Sequence, residues 1–138
     1  MPRLDLIHNS VKTALASDGW LITDDPYTIE YGEVRVFADL AAERTLAAER
    51  EGRKIAVEIK SFIGASLVHE LENAIGQYLL YRGFLQKIAP ERKVYIAISD
   101  LVYEDFFEKE GVRYLVELYD LSLIIVNLDK EVITQWIN

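Results

Sequence analysis

The sequence predicts one α/β domain in which helices flank a mixed central β-sheet. Three observations carry that expectation. Hydrophobic periodicity runs helix, hairpin strands, helix, strand, helices and strands, the alternation that layers helices on a sheet. At 138 residues the chain has the length of a single domain, residues 1–138, and can bury a core without disulfides or a structural metal. Its composition, 51% hydrophobic and 28% charged, excludes a disordered or collagen-like chain.

The first helix, residues 5–16, is marked by Leu4, Ile7, Val11, Ala14 and Leu15 at helical spacing, with Asp18-Gly19 as its stop. Trp20-Leu21-Ile22-Thr23 is a short strand closed by the turn Asp24-Asp25-Pro26-Tyr27. Residues 27–31 and 33–40 read as a hairpin around Gly32. Residues 41–51 have the Ala, Glu, Arg and Leu content of a helix. Yet Glu51-Gly52 sits between residues 45–50 and 54–60 as a hairpin turn would, and the hairpin is the expectation.

Lys54-Ile55-Ala56-Val57-Glu58-Ile59-Lys60 is the clearest strand, with Ile55, Val57 and Ile59 on one face. Residues 66–88 form the clearest helix. Val68, Leu71, Ile75, Tyr78, Leu79 and Leu85 make its apolar stripe, and Ser66 is its N-cap. A buried strand over 93–99 follows, then helical signals over 103–108 and 112–118. Strands over 123–128 and 131–136 close the chain around Asp129-Lys130.

Cysteine is absent, so disulfide scaffolds, thiolate zinc sites and cysteine nucleophiles are excluded. No apolar run approaches a membrane span and the N-terminus lacks a signal region, so a soluble cytoplasmic protein is expected. Net charge is −8, which opposes loose binding to nucleic acid. Its distribution says more. Residues 1–34 carry −4 (2 basic, 6 acidic), residues 35–93 carry +2 (10 basic, 8 acidic) and residues 94–138 carry −6 (3 basic, 9 acidic). The middle segment is the part suited to face a polyanion.

That segment also holds the chemistry. Strand alternation puts Glu58 and Lys60 on the face opposite Ile55, Val57 and Ile59, roughly 6–7 Å apart. A carboxylate ligand for Mg²⁺ thus stands beside a cation able to hold a water or stabilise charge on a phosphate. Asp39, on a preceding strand, adds a second carboxylate. Glu-x-Lys alone is weak, since Glu91-Arg92-Lys93 also matches and a solvated polar face on an edge strand would look the same. In the following helix Glu70, Ala74, Gln77 and Tyr81 fall on one narrow stripe, so Gln77 and Tyr81 can reach one spot. Equally, Gln77 would be a surface residue and Tyr81 a cover for the core rim.

Asp39, then Glu58-Ile59-Lys60, then Gln77-Tyr78-Leu79-Leu80-Tyr81 resembles the PD-(D/E)xK nuclease superfamily, and its Gln-x-x-x-Tyr part is similar to RecB-type nuclease domains. Several stretches resemble, more closely, the small cyanobacterial XisH family of fdxN element excision controlling factors. They are Asp18-Gly19-Trp20, Ile22-Thr23-Asp24-Asp25-Pro26, residues 54–62, Gly76-Gln77-Tyr78-Leu79-Leu80-Tyr81-Arg82 and Ile133-Thr134-Gln135-Trp136-Ile137. The resemblance implies a restriction endonuclease-like core and an accessory role in site-specific excision of DNA, beside a recombinase and an XisI-type companion. It implies Mg²⁺ or Mn²⁺ on Asp39, Glu58 and the Ile59 carbonyl. Lys60, Gln77 and Tyr81 would then act on the phosphodiester. Such nucleases often add a first-helix Glu, for which this chain offers Asp5 or His8, and Glu43 is a further acid. Ala38 stands where the superfamily's Pro would be. The alternative is a catalytically inactive regulatory subunit with the same fold. A homodimer is expected, because cutting a duplex takes two sites.

His8 and His69 are too far apart in sequence for a zinc site, and each also fits a helix-surface position. No nucleophile elbow, phosphate loop or dinucleotide fingerprint is present. Tyr103, Phe106 and Phe107 form an aromatic patch that reads first as core and second as a partner surface.

Overall fold

In a computed structural model, residues 2–44 and 52–138 are described, with side chains from Ile7 onward. Helix α1 (Pro2–Ser17) ends where Gly19 takes a left-handed φ of 94°, and strand β1 (Leu21–Asp24) follows. Strands β2 (Tyr27–Tyr31) and β3 (Val34–Ala38) make the expected hairpin around Gly32. Then come β4 (Leu40–Arg44), β5 (Arg53–Ile59), α2 (Leu67–Ile88) and β6 (Arg92–Ser99). A short helix α3 (Asp100–Val102), a π-helical turn (Tyr103–Phe107), α4 (Glu110–Leu118), β7 (Leu123–Asn127) and β8 (Val132–Ile137) complete the chain.

Six strands form the central sheet in the order β1-β4-β5-β6-β7-β8. Strands β5, β6 and β7 run parallel, whereas β1, β4 and β8 attach by antiparallel pairing. The parallel β5–β6 pair requires a crossover, which α2 supplies. Strand β5 lies inside the sheet, so the edge-strand reading of Glu58 and Lys60 is set aside. The β2–β3 hairpin is a separate two-stranded sheet rather than part of one mixed sheet. The strand expected over 33–40 is accordingly two strands, and Asp39 occupies the bend between them. The antiparallel β4–β5 register, Leu40 opposite Val57 and Glu43 opposite Lys54, agrees with a hairpin there. Its connection over 45–51 lies outside the described residues, as do the side chains of Leu4 and Asp5.

The sheet has a packed layer on each face. On one, Leu71, Ala74, Tyr78, Tyr81 and Leu85 of α2 meet Ala56, Val94, Ile96 and Ile98. On the other, Ile7, Val11, Ala14 and Leu15 of α1 meet Leu40, Ile55, Val57 and Ile124. Ile55 and Val57 thus face α1 and Ala56 faces α2, as alternation requires. Each fully buried Leu or Ile contributes about 2 kcal/mol. The apolar stripe of α2 is rotated from expectation: Val68 is 63% exposed, while Ala74 and Tyr81 are buried. Val68 belongs to the first turn of α2, where residues 67–69 are all exposed. The aromatic patch is core: Phe106 and Phe107 are buried against Phe62.

Candidate active site

Strand β5 ends where α2's crossover begins, and the carboxyl end of a parallel strand is where α/β sheets leave a crevice. A cleft of about 640 Å³ opens there. Asp39, Glu58, Ile59, Lys60 and Glu70 line it. Asp39 reaches it because the chain bends between the hairpin and β4, and the backbone N–H of Ile59 donates to the Asp39 carboxylate at 2.7 Å. This bond fixes the first carboxylate against the strand that carries the second.

Glu58 is 6% exposed, and its Oε1 has no hydrogen-bond partner among the described residues. Lys60 Nζ stands 3.5 Å from the other oxygen, Oε2. Burial raises the Glu58 pKa and the neighbouring Asp39 charge raises it further. Lys60 offsets part of this, and the result is about 7. A buried carboxylate with one oxygen unpartnered among the described residues, beside a second acid and a single lysine, is left with one uncompensated negative charge. A divalent cation would compensate it. Among the described residues no three His, Asp or Glu side chains converge into a complete metal cage. Two carboxylates completed by a backbone carbonyl and water are nevertheless what Mg²⁺ commonly takes. The residues fit such an ion.

Gln77 and Tyr81 stand behind the cleft rather than on its wall. Tyr81 is 3% exposed and donates its hydroxyl proton to the Phe37 carbonyl at 2.8 Å. The same hydroxyl neighbours Glu58 and the Gln77 amide. Burial, then the Glu58 charge, push its pKa far above the ordinary tyrosine value, so it remains a donor. With one proton committed to Phe37, it cannot also satisfy Glu58. Gln77 keeps a buried Oε1 without a partner among the described residues. The expectation that both side chains reach a substrate gives way, for Tyr81, to a bond that ties α2 to the hairpin two residues before Asp39, while Gln77 does not line the cleft. The reason is rotational, since the turn of α2 that buries Ala74 also turns Tyr81 into the core.

The accessory candidates separate. His8 lines the cleft, but its Nε2 lies 2.9 Å from Asp25, which also accepts from Lys12 at 2.7 Å. Glu43 sits opposite Lys54, four residues and about 13 Å before Glu58 along β5. It pairs there with Arg92 at 3.7 Å and takes no part in the cleft. Asp5 lies outside the described side chains. His69 is exposed in the first turn of α2, 3.6 Å from Glu72.

Sequence reasoning missed the loop that closes the cleft. Phe62 adopts a left-handed φ of 53°, unfavourable for a bulky residue, and buries its ring edge-on to Phe107 at 5.3 Å. Packing on Phe107 holds the loop in that conformation. Gly64 then passes so close to Glu70 that a Cβ would overlap its carboxylate. Glu70 thereby becomes a third acid on the cleft wall. Its position seven residues before Gln77, on the same stripe, was the available signal.

Among the described residues no helix is long and apolar enough to cross a membrane. The family described as XisH protein matches residues 1–134. Two solved structures are similar over nearly the whole chain. One is an XisH family protein from Nostoc punctiforme PCC 73102: 41% identical, covering 96% of this chain and 99% of that one, TM-score 0.88. The other is an fdxN element excision controlling factor protein from Anabaena variabilis: 41% identical, covering 97% and 99%, TM-score 0.87. A bifunctional glutamine synthetase adenylyltransferase/adenylyl-removing enzyme of Idiomarina loihiensis is 28% identical over 97 residues, 70% of this chain. The chain spans 10% of that enzyme's length.

Proposed function

Because the chain belongs to the XisH family, associated with fdxN element excision control, we propose that it is an excision accessory factor carrying a metal-dependent nuclease-type site for DNA phosphodiesters. Two carboxylates sharing one cleft with a lysine carry this reading, above all the buried Glu58, whose Oε1 lacks a partner among the described residues and whose pKa is raised by burial and then by Asp39. Asp39, Glu58 and the Ile59 carbonyl would hold Mg²⁺ or Mn²⁺. Bound there, such an ion supplies Lewis-acid polarisation of a phosphate and a lowered pKa for water.

The remaining work belongs to the chain's own groups. Lys60 directs its ammonium into the cleft, where it orients the attacking water and offsets charge growing on the phosphate oxygens. Hydrolysis forms a bond from water to phosphorus and breaks one phosphorus–oxygen ester bond. The Ile59 N–H holds Asp39 at its bend. Tyr81, tied to Phe37 and flanked by Gln77, keeps that bend at a constant distance from Glu58. With a net charge of −8 the protein lacks general affinity for DNA, so a DNA structure or a partner must bring the substrate. A recombinase, an XisI-type companion and a second copy of this chain, in the cytoplasm, belong to the same reading.

Calorimetric titration of Mn²⁺ into the wild type and into an Asp39→Asn, Glu58→Gln double variant is the test. Binding that the double variant loses, followed by cleavage of duplex or branched DNA, is expected. Absence of binding with and without DNA would refute the metal site. The acidic C-terminal third, at −6, favours a second reading, a non-cleaving regulatory subunit that engages a basic partner protein. Co-elution with an excision partner, undiminished in the double variant, would select it.

A further inference from the structure

At the opposite end of β5 from the acidic cleft lies a second one, of about 560 Å³. Arg44, Arg53, Lys54 and Lys93 stand on its walls, four of the ten basic residues of the only segment with net positive charge. Two acids, Asp18 and Glu91, also line it. Asp18 is already engaged, 3.4 Å from Arg44 and 3.3 Å from the Trp20 indole nitrogen. Among the described residues Arg53 and Lys54 form no ion pair. Lys54 is half-buried and Arg53 exposed at the rim.

The floor is aromatic. Trp136, half-buried, packs on Trp20 with centroids 5.6 Å apart and on Tyr95 edge-on at 5.1 Å. The Lys93 ammonium sits 5.5 Å over the Tyr95 ring and donates to the Asn138 side-chain oxygen at 3.0 Å, so its place is fixed. By strand alternation Arg53 shares the face of Ile55, Tyr95 and Trp136, whereas Lys54 leaves the opposite face. An aromatic platform beside the Lys93 ammonium and an Arg53 without an ion-pair partner among the described residues matches a planar ring joined to an anion. The volume is sufficient for one nucleotide.

We propose that this second cleft binds a nucleotide unit, its base against Trp136 and its phosphate on Arg53, with the Lys93 ammonium beside it. The unit is either a free mononucleotide or one residue of an unpaired DNA strand, which share this chemistry. The site is independent of metal binding at Asp39 and Glu58.

The chain's two tryptophans, Trp20 and Trp136, both line this cleft, so tryptophan fluorescence of the whole protein reports on it directly. The experiment titrates thymidine monophosphate, thymidine and a short oligothymidylate, without metal, into the wild type and an Arg53→Ala variant. Saturable quenching by the monophosphate is expected, about tenfold weaker for thymidine and about tenfold weaker in the variant, whose unfolding midpoint stays unchanged. Tighter binding of the oligomer than of the monophosphate identifies a strand as the source, and equal binding identifies the free nucleotide. No saturable change with either, or equal affinity in the variant, would overturn the proposal whatever the outcome at the metal cleft.

Discussion

The Tyr81 hydroxyl donates to the Phe37 carbonyl oxygen at 2.8 Å, tying the middle of α2 to the hairpin two residues before Asp39. A helix packed on the sheet thus holds the bend that delivers a carboxylate to the end of β5. Tyr81→Phe keeps the ring in the core and removes only this bond. The variant should lose about 1 kcal/mol in urea unfolding. Its Mn²⁺ affinity should fall several-fold, because Asp39 gains freedom. Wild-type Mn²⁺ affinity in Tyr81→Phe would mean that the Ile59 N–H suffices to place Asp39.

Glu58 predicts an inverted pH dependence. Its pKa is about 7 in the folded chain against an ordinary 4.5, raised by burial and then by Asp39. Between those values the folded state holds a proton that the unfolded state has released, so stability falls as pH rises and levels off above pH 7. The shift corresponds to about 3 kcal/mol at full ionisation. Glu58→Gln abolishes it. Urea unfolding at pH 5 and pH 8 should show the wild type losing more stability than the variant across that interval. Parallel losses in the two proteins would place the titration elsewhere.

Gly64 and Glu70 give a test of the loop. An alanine methyl at Gly64 would overlap the Glu70 carboxylate, the far end of a flexible side chain that can swing away. Gly64→Ala should therefore cost less than about 1 kcal/mol, while displacing Glu70 from the cleft wall. With Glu70→Ala in place the conflict vanishes, so a double-mutant cycle should show coupling between the two positions. Strict additivity would mean that the two residues do not touch in solution.

What the sequence made legible was what local pattern determines. The Ser66 cap, which accepts from the His69 N–H at 3.2 Å, the alternation along β5 and the Gly32 hairpin all depend on neighbours in the chain. Glu58 and Lys60 were legible as a pair because strand alternation and residue chemistry agreed, and Asp39 joined them as a preceding carboxylate and through the family resemblance, although it occupies a bend rather than a strand. The pairing of Asp39 with the Ile59 N–H, twenty residues away, follows from sheet register and was not. Tyr81 was misplaced for a related reason. Helical spacing assigns it a stripe with Gln77, but only packing on the sheet decides whether that stripe faces the cleft or the core. Glu70 shares the helical stripe of Gln77, but its place on the cleft wall needed the close approach of Gly64, which no periodicity encodes.

Lys60 couples the fold to the chemistry, and its removal should affect stability and cleavage under different conditions. Its ammonium is the positive charge beside Glu58, at 3.5 Å from Oε2. At pH 8 Glu58 is ionised, and Lys60→Ala leaves a buried carboxylate without that partner, so the variant should unfold at clearly lower urea than the wild type. At pH 5 Glu58 carries its proton, and the two proteins should unfold together. Saturating Mn²⁺ at pH 8 should stabilise both proteins by mass action and narrow the difference, since in the variant the ion supplies the positive charge that Glu58 lost with Lys60. Cleavage should stay abolished even then, because the water and the phosphate lose the group that orients one and neutralises the other. Wild-type cleavage by Lys60→Ala would remove the lysine from the mechanism, and an equal stability loss at pH 5 and pH 8 would remove it from the pairing with Glu58.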